Sequence, residues 1–156
     1  MDIEALFNHI DRTLAARPFY PCVLLVHTDI ARLQRTAGKL AERSGWPQLA
    51  ISQVLADALI EVAPSRRTMV ASGALDRHLA RHRPGPVVCI DLALLFEPAL
   101  SLNPLTLLRQ WSRSVPVVAL WPGAVNATGL TYAVPQHAHY RVWADTELCN
   151  GCIVSL

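Results

Sequence analysis

The most constraining feature of this chain is Cys22-Val23-Leu24-Leu25-Val26, five consecutive apolar residues reached through Pro18 and Pro21. A run with no polar residue at alternate positions describes a strand buried on both faces, as in a parallel sheet covered by helices. His27-Thr28-Asp29 then makes a turn, and Thr28 or Asp29 can cap the next helix. Ile30, Leu33, Ala37, Leu40 and Ala41 form an apolar helical stripe down to Ser44, which Gly45 closes. Strand, tight turn and helix open a βαβ unit.

The rest of the chain continues this alternation. Ile3, Leu6, Phe7, Ile10 and Leu14 give residues 2–16 one apolar helical face, placed to pack on the sheet or to reach a partner. Leu49-Ala50-Ile51 reads as a second strand, with helices over 53–62 and 70–82 before the stop at Pro84-Gly85-Pro86. Val87–Asp91 is a third strand ending in an acid. Asn103-Pro104 starts a helix through about Ser114, and Val117–Trp121 is a fourth strand closed by Pro122-Gly123. Tyr140–Trp143 and Ile153–Leu156 read as short strands joined by a turn at Asn150-Gly151. The pattern predicts an α/β fold with a largely parallel sheet and helices on both faces. Its 156 residues suit one domain: a helix over 1–17 and a core over 21–156.

At 52% hydrophobic and 17% charged, the chain is too apolar to be disordered. No run reaches the roughly 18–20 apolar residues of a membrane span. The start, Met1-Asp2-Ile3-Glu4, lacks the basic opening of a signal peptide, so a cytoplasmic location is expected. A net charge of +2 is not by itself a nucleic-acid footprint. Lys39 is the only lysine. Cys22 and Cys89 fall in buried strands, where cysteine behaves as a small hydrophobe, and no disulfide framework is expected.

Ligands of such sheets bind at the carboxyl ends of the strands, so the turn at His27 is where a phosphate loop would sit. That loop needs glycines to wrap phosphate in backbone N–H groups, a lysine for the β/γ oxygens and a hydroxyl for Mg²⁺. Here the turn reads His27-Thr28-Asp29-Ile30-Ala31-Arg32-Leu33-Gln34, with no glycine. Gly38-Lys39 lies too far inside the helix, and Asp29 would repel a phosphate.

Several segments carry a family likeness. They are Val23-Leu24-Leu25-Val26 with Leu40–Pro47; Leu94-Leu95-Phe96-Glu97-Pro98-Ala99-Leu100 running through Asn103-Pro104-Leu105 to Ser112-Arg113; Trp121-Pro122-Gly123; and Leu130-Thr131-Tyr132-Ala133 with Pro135, His137 and Tyr140-Arg141. With these the chain resembles, from Cys22 onward, the BrxF family of small P-loop-containing proteins of type 3 BREX anti-phage defence systems in bacteria. The resemblance implies a P-loop NTPase-like three-layer sandwich with a mainly parallel five-stranded sheet. The family's Gly-Lys-Thr loop falls on His27–Gln34, with Leu33 in the slot of the lysine and Gln34 in that of the threonine. Asp91 remains from the acidic motif, but the later acid is replaced by Ala93 or Leu94. Hydrolysis needs a Mg²⁺ ligand and a carboxylate to orient water, so no catalytic residue, metal or cofactor is expected. Trp121 is expected beside the crevice, filling space a nucleotide would use, so that Trp121→Ala would open binding.

The expectation is therefore a non-catalytic accessory subunit that binds other proteins of such a system: a large ATPase, a methyltransferase, a phosphatase-like protein or a helicase. Self-association is a further expectation. Contact surfaces are sought on Arg66, Arg67, Arg77, Arg81, Arg83 and Arg113 and on the segment holding Tyr132, His137 and Tyr140. Two alternatives stand beside it. One is a weak or partner-completed ATPase, with Arg67 or Arg113 acting in trans. The other is a DNA-binding adaptor using the basic stretch 77–83. That stretch also reads as a solvated helix face, and its His78/His82 pair lacks the ligands to complete a zinc set. His137-x-His139 with Cys149-x-x-Cys152 has zinc-ligand types, but turn or buried cysteines explain the pattern better.

Overall fold

The computed structural model describes residues 1–144 and 151–156. Helix α1 (Ile3–Ala15) starts where the Asp2 carboxylate accepts the Ala5 N–H at 2.8 Å, and it buries Leu6 and Ile10. Strand β1 (Cys22–His27) leads into α2 (Ile30–Ser44), which buries Leu33, Ala37 and Leu40. Gly45 ends α2 in the left-handed region (φ 70°), a backbone state that glycine adopts without a Cβ penalty. Strand β2 (Gln48–Ala50) passes directly into α3 (Ile51–Leu59), so Ile51 opens a helix and is not the end of a strand. A 3₁₀ turn precedes α4 (Arg67–Ala80), followed by β3 (Val87–Ile90), two further 3₁₀ turns and α5 (Pro104–Ser112). Asn103 caps α5 through the Thr106 N–H, with Pro104 at the first helical position.

Strands β4 (Val117–Asn126) and β7 (Ile153–Ser155) flank β1, giving the parallel order β2-β3-β4-β1-β7. Alternation along each strand divides the core. Val23, Leu25, Val88, Val118 and Leu120 face α1 and α2. Cys22, Leu24, Val26, Cys89, Val117, Ala119 and Trp121 face α3, α4 and α5. A central strand with both neighbours and both helical layers in place has no polar side to present, which is why its sequence is apolar throughout.

Three expectations are corrected. The sheet has seven strands, not five, because β5 (Gly129–Tyr132) and β6 (Arg141–Trp143) extend it antiparallel from β4. Pro122-Gly123 does not close the fourth strand. Pro122, with no N–H to donate, sits at the last parallel pair with His27, and the chain runs on to pair with β5. Gly123 is required there, since a Cβ would lie 1.8 Å from the Thr131 carbonyl oxygen. Nor do the last two strands form a hairpin: β6 pairs with β5, whereas β7 pairs with β1. Asn150 lies outside the described residues.

Cys152 is disulfide-bonded, although no disulfide framework is expected from the sequence, while Cys22 and Cys89 are free and buried. Among the described residues no helix is long and apolar enough to cross a membrane.

Candidate functional site

The carboxyl ends of β1, β3 and β4 meet the start of α2 in a crevice of about 170 Å³. Ile30, Leu33 and Gln34 of α2 form one wall, Ile90 to Ala93 another, and Leu120 and Pro122 the floor. Ligand pockets for drug-sized molecules run to roughly 300–1,000 Å³. The space is too small and too apolar for a nucleotide.

Its turn is closed on itself. Only Thr28 and Asp29 separate β1 from α2. The Asp29 N–H donates to His27 Nδ1 at 2.9 Å, which fixes that nitrogen as an acceptor. Asp29 Oδ1 accepts the N–H groups of Ala31 at 2.9 Å and Arg32 at 3.2 Å. A helix N-terminus binds an anion by offering such amides. Here the chain's own carboxylate already takes them. Leu33 is buried against the sheet, and the exposed Gln34 sits on the rim. Lys39 faces a different cleft, between α1 and α2.

Asp91 follows β3 with φ 51°, a left-handed state that Asp tolerates better than most residues. Its carbonyl oxygen accepts both the backbone N–H and the hydroxyl of Ser52, at 2.9 and 2.8 Å. Ser52 Oγ in turn accepts the Leu94 N–H at 3.1 Å. Ser52 thus ties α3 to the bend that aims Asp91, a role with no sequence signal beyond a serine near a helix start. The Asp91 side chain is exposed and has no partner among the described residues. One free carboxylate beside an apolar wall does not fit Mg²⁺-nucleotide: the first amides of α2 already have an acceptor, and among the described residues no cation lines the crevice.

Trp121 is not in this crevice. Its neighbours Leu120 and Pro122 line it, while the Trp121 ring turns to the opposite face of the sheet. There it is fully buried, and its Nε1–H donates to the Thr131 carbonyl at 2.8 Å. It meets Phe96 and Trp143 edge-on at 5.0 and 5.1 Å. Tyr132 stacks on Phe96 at 3.7 Å, and His137 meets the edge of Tyr132 at 5.5 Å. Burial, and then the Glu97 charge, raise the Tyr132 hydroxyl above its ordinary pKa. His137 Nδ1 accepts the His139 N–H, and the Tyr140 N–H donates to the His137 carbonyl. His137 thus ties this turn to the edge of the aromatic cluster.

The basic candidates separate. Arg113 donates to the Phe19 carbonyl at 2.6 Å and stacks on the Phe19 ring at 4.0 Å; Arg67 donates to the Val62 carbonyl at 2.9 Å. Both thus hold loops within this chain. Arg66, Arg77, Arg81 and Arg83 are exposed. His78 donates Nδ1–H to Ala74 within its own helix. Of the four candidate zinc ligands, Cys149 lies outside the described residues, Cys152 is disulfide-bonded next to β7, and His137 and His139 follow β5. No protein-family model, curated protein or solved structure matches the chain.

Proposed function

We propose that this chain is a non-catalytic accessory subunit of a BREX-type phage-defence system, a P-loop-type scaffold that binds other proteins of the system. Two features support the scaffold. All five central strands are parallel, and β4 lies between β1 and β3, so the β1 turn and Asp91 reach the same crevice from either side of it. That is where a P-loop protein places its phosphate loop and its metal-binding acid. The observation that carries the non-catalytic reading is the self-capped turn, in which Asp29 takes the Ala31 and Arg32 amides that a phosphate would need. With those amides already taken, such a protein works through its outer surfaces.

Calorimetric titration of the isolated chain with Mg-ATP is the test. No binding heat is expected, together with a stable complex when the chain is co-expressed with the large ATPase, methyltransferase, phosphatase-like protein and helicase of such a system. Tight Mg-ATP binding by the isolated chain would sink the reading.

A further inference from the structure

The cleft between α1 and α2, about 500 Å³, shares no lining residue with the crevice at the strand ends. Ile3 and Leu6 give it an apolar wall, and Arg32, Arg35, Thr36 and Lys39 line the other side. Positions 32, 35, 36 and 39 recur every three to four residues, so they form one face of α2. Arg32, Arg35 and Lys39 are exposed and have no carboxylate partner among the described residues. Asp2 also lines the cleft, but its carboxylate is engaged as the cap of α1. Arg32 lies in the first turn of α2, which holds no acid. A cation there opposes the helix dipole, so local stability does not account for it.

The same face continues to Arg43, and there its complement is visible. Glu4 of α1 forms an ion pair with Arg43, while Phe7 lies under the guanidinium at 4.4 Å. An acid-plus-apolar helix therefore already covers one end of the stripe, and the rest has no counterpart.

We propose that this cleft docks an acidic segment of a partner protein, its carboxylates on Arg32, Arg35 and Lys39 and an aliphatic side chain against Ile3 and Leu6. The lining favours protein over nucleic acid. No aromatic ring lines the cleft to stack a base, and a phosphate backbone brings nothing apolar to the Ile3–Leu6 wall. The proposal rests on the protein-binding reading above. Mg-ATP titrated into both the parent and Arg32→Glu/Arg35→Glu/Lys39→Glu distinguishes polyphosphate held by this cleft, which the variant loses, from binding in the crevice, which it keeps, so the two fail separately.

The test is fluorescence anisotropy with a fluorescein-labelled peptide of repeated Glu-Glu-Leu. Saturable binding at low salt is expected. Arg32→Glu/Arg35→Glu/Lys39→Glu should weaken it roughly tenfold or more, the sum of three surface ion pairs, and the corresponding Gln variant less. Serine in place of leucine in the peptide should also weaken it. Arg12→Glu/Arg17→Glu, with exposed cations elsewhere, should leave it unchanged. Absent binding, equal binding by the charge-reversed protein, indifference to the leucine, or tighter binding of a short DNA oligonucleotide each overturns the proposal.

Discussion

Replacing Asp29 by alanine tests whether the turn after β1 is held by its own carboxylate. Two amides, those of Ala31 and Arg32, lose their acceptor. Loss of an N-cap side chain costs about 1 kcal/mol, within a range of roughly 0.5–2. Loss of a negative charge at a helix start adds about 0.3–1 kcal/mol at low salt. The expected total is about 1–2 kcal/mol, or about 2–8 °C in melting temperature for a chain of this size. Asp29→Asn separates the two parts, since its side-chain oxygen still accepts both amides and only the charge is lost. It should cost about 0.3–1 kcal/mol, and that cost should fade as salt rises. Urea and thermal denaturation followed by far-UV circular dichroism read both variants. In Asp29→Ala the exposed amides regain an anion site, so phosphate should raise its melting temperature more than that of the parent. If Asp29→Ala is as stable as the parent, or Asp29→Asn loses as much as Asp29→Ala, the self-capping account is wrong.

Two further outcomes concern the core. Trp121→Ala should cost about 3–5 kcal/mol as a large-to-small change in a packed core and should open no nucleotide site, because the ring faces away from the crevice. A functional protein of parental stability would contradict the packing described. Stability should also fall above pH 9. Burial pushes the Cys22 thiol up to about 12 from its ordinary 9.0, and burial followed by the nearby Cys22 raises Cys89. The unfolded chain therefore releases protons above pH 9 that the folded chain keeps. Each thiol then costs about 1.4 kcal/mol per pH unit until the folded value is reached. A urea midpoint that stays flat from pH 9 to about pH 11 would refute this.

Much of the scaffold was legible because local and tertiary signals agreed. Asp29 and Gly45 bracket α2 by capping chemistry, and the apolar runs at 22–26, 87–90 and 117–121 needed no context to read as buried strands. Where tertiary contacts decided, the reading failed. Pro122-Gly123 looks like a stop, yet the glycine serves the close approach of β5. Ile153–Ser155 looks like half a hairpin, but β1 offers an unpaired parallel edge that takes it. At the site, the absence of glycine and lysine was visible, and so was a capping residue. That one carboxylate fills the amides a phosphate would use is a matter of angles and distances. The facing of Trp121 turns on strand register, where a shift of one residue exchanges the two sheet faces.

The position of β1 has a consequence for biosynthesis. Its partners, Val117–Pro122 and Ile153–Ser155, leave the ribosome long after Cys22–His27. Until then the uninterrupted apolar run Cys22–Val26 has no strand beside it and only the neighbouring helices for cover. Loop closure over such separations is slow, and exposed strand edges invite association. The sheet should therefore be completed only once Ile153–Ser155 has emerged, and truncations that remove β7 or β4 should aggregate through β1.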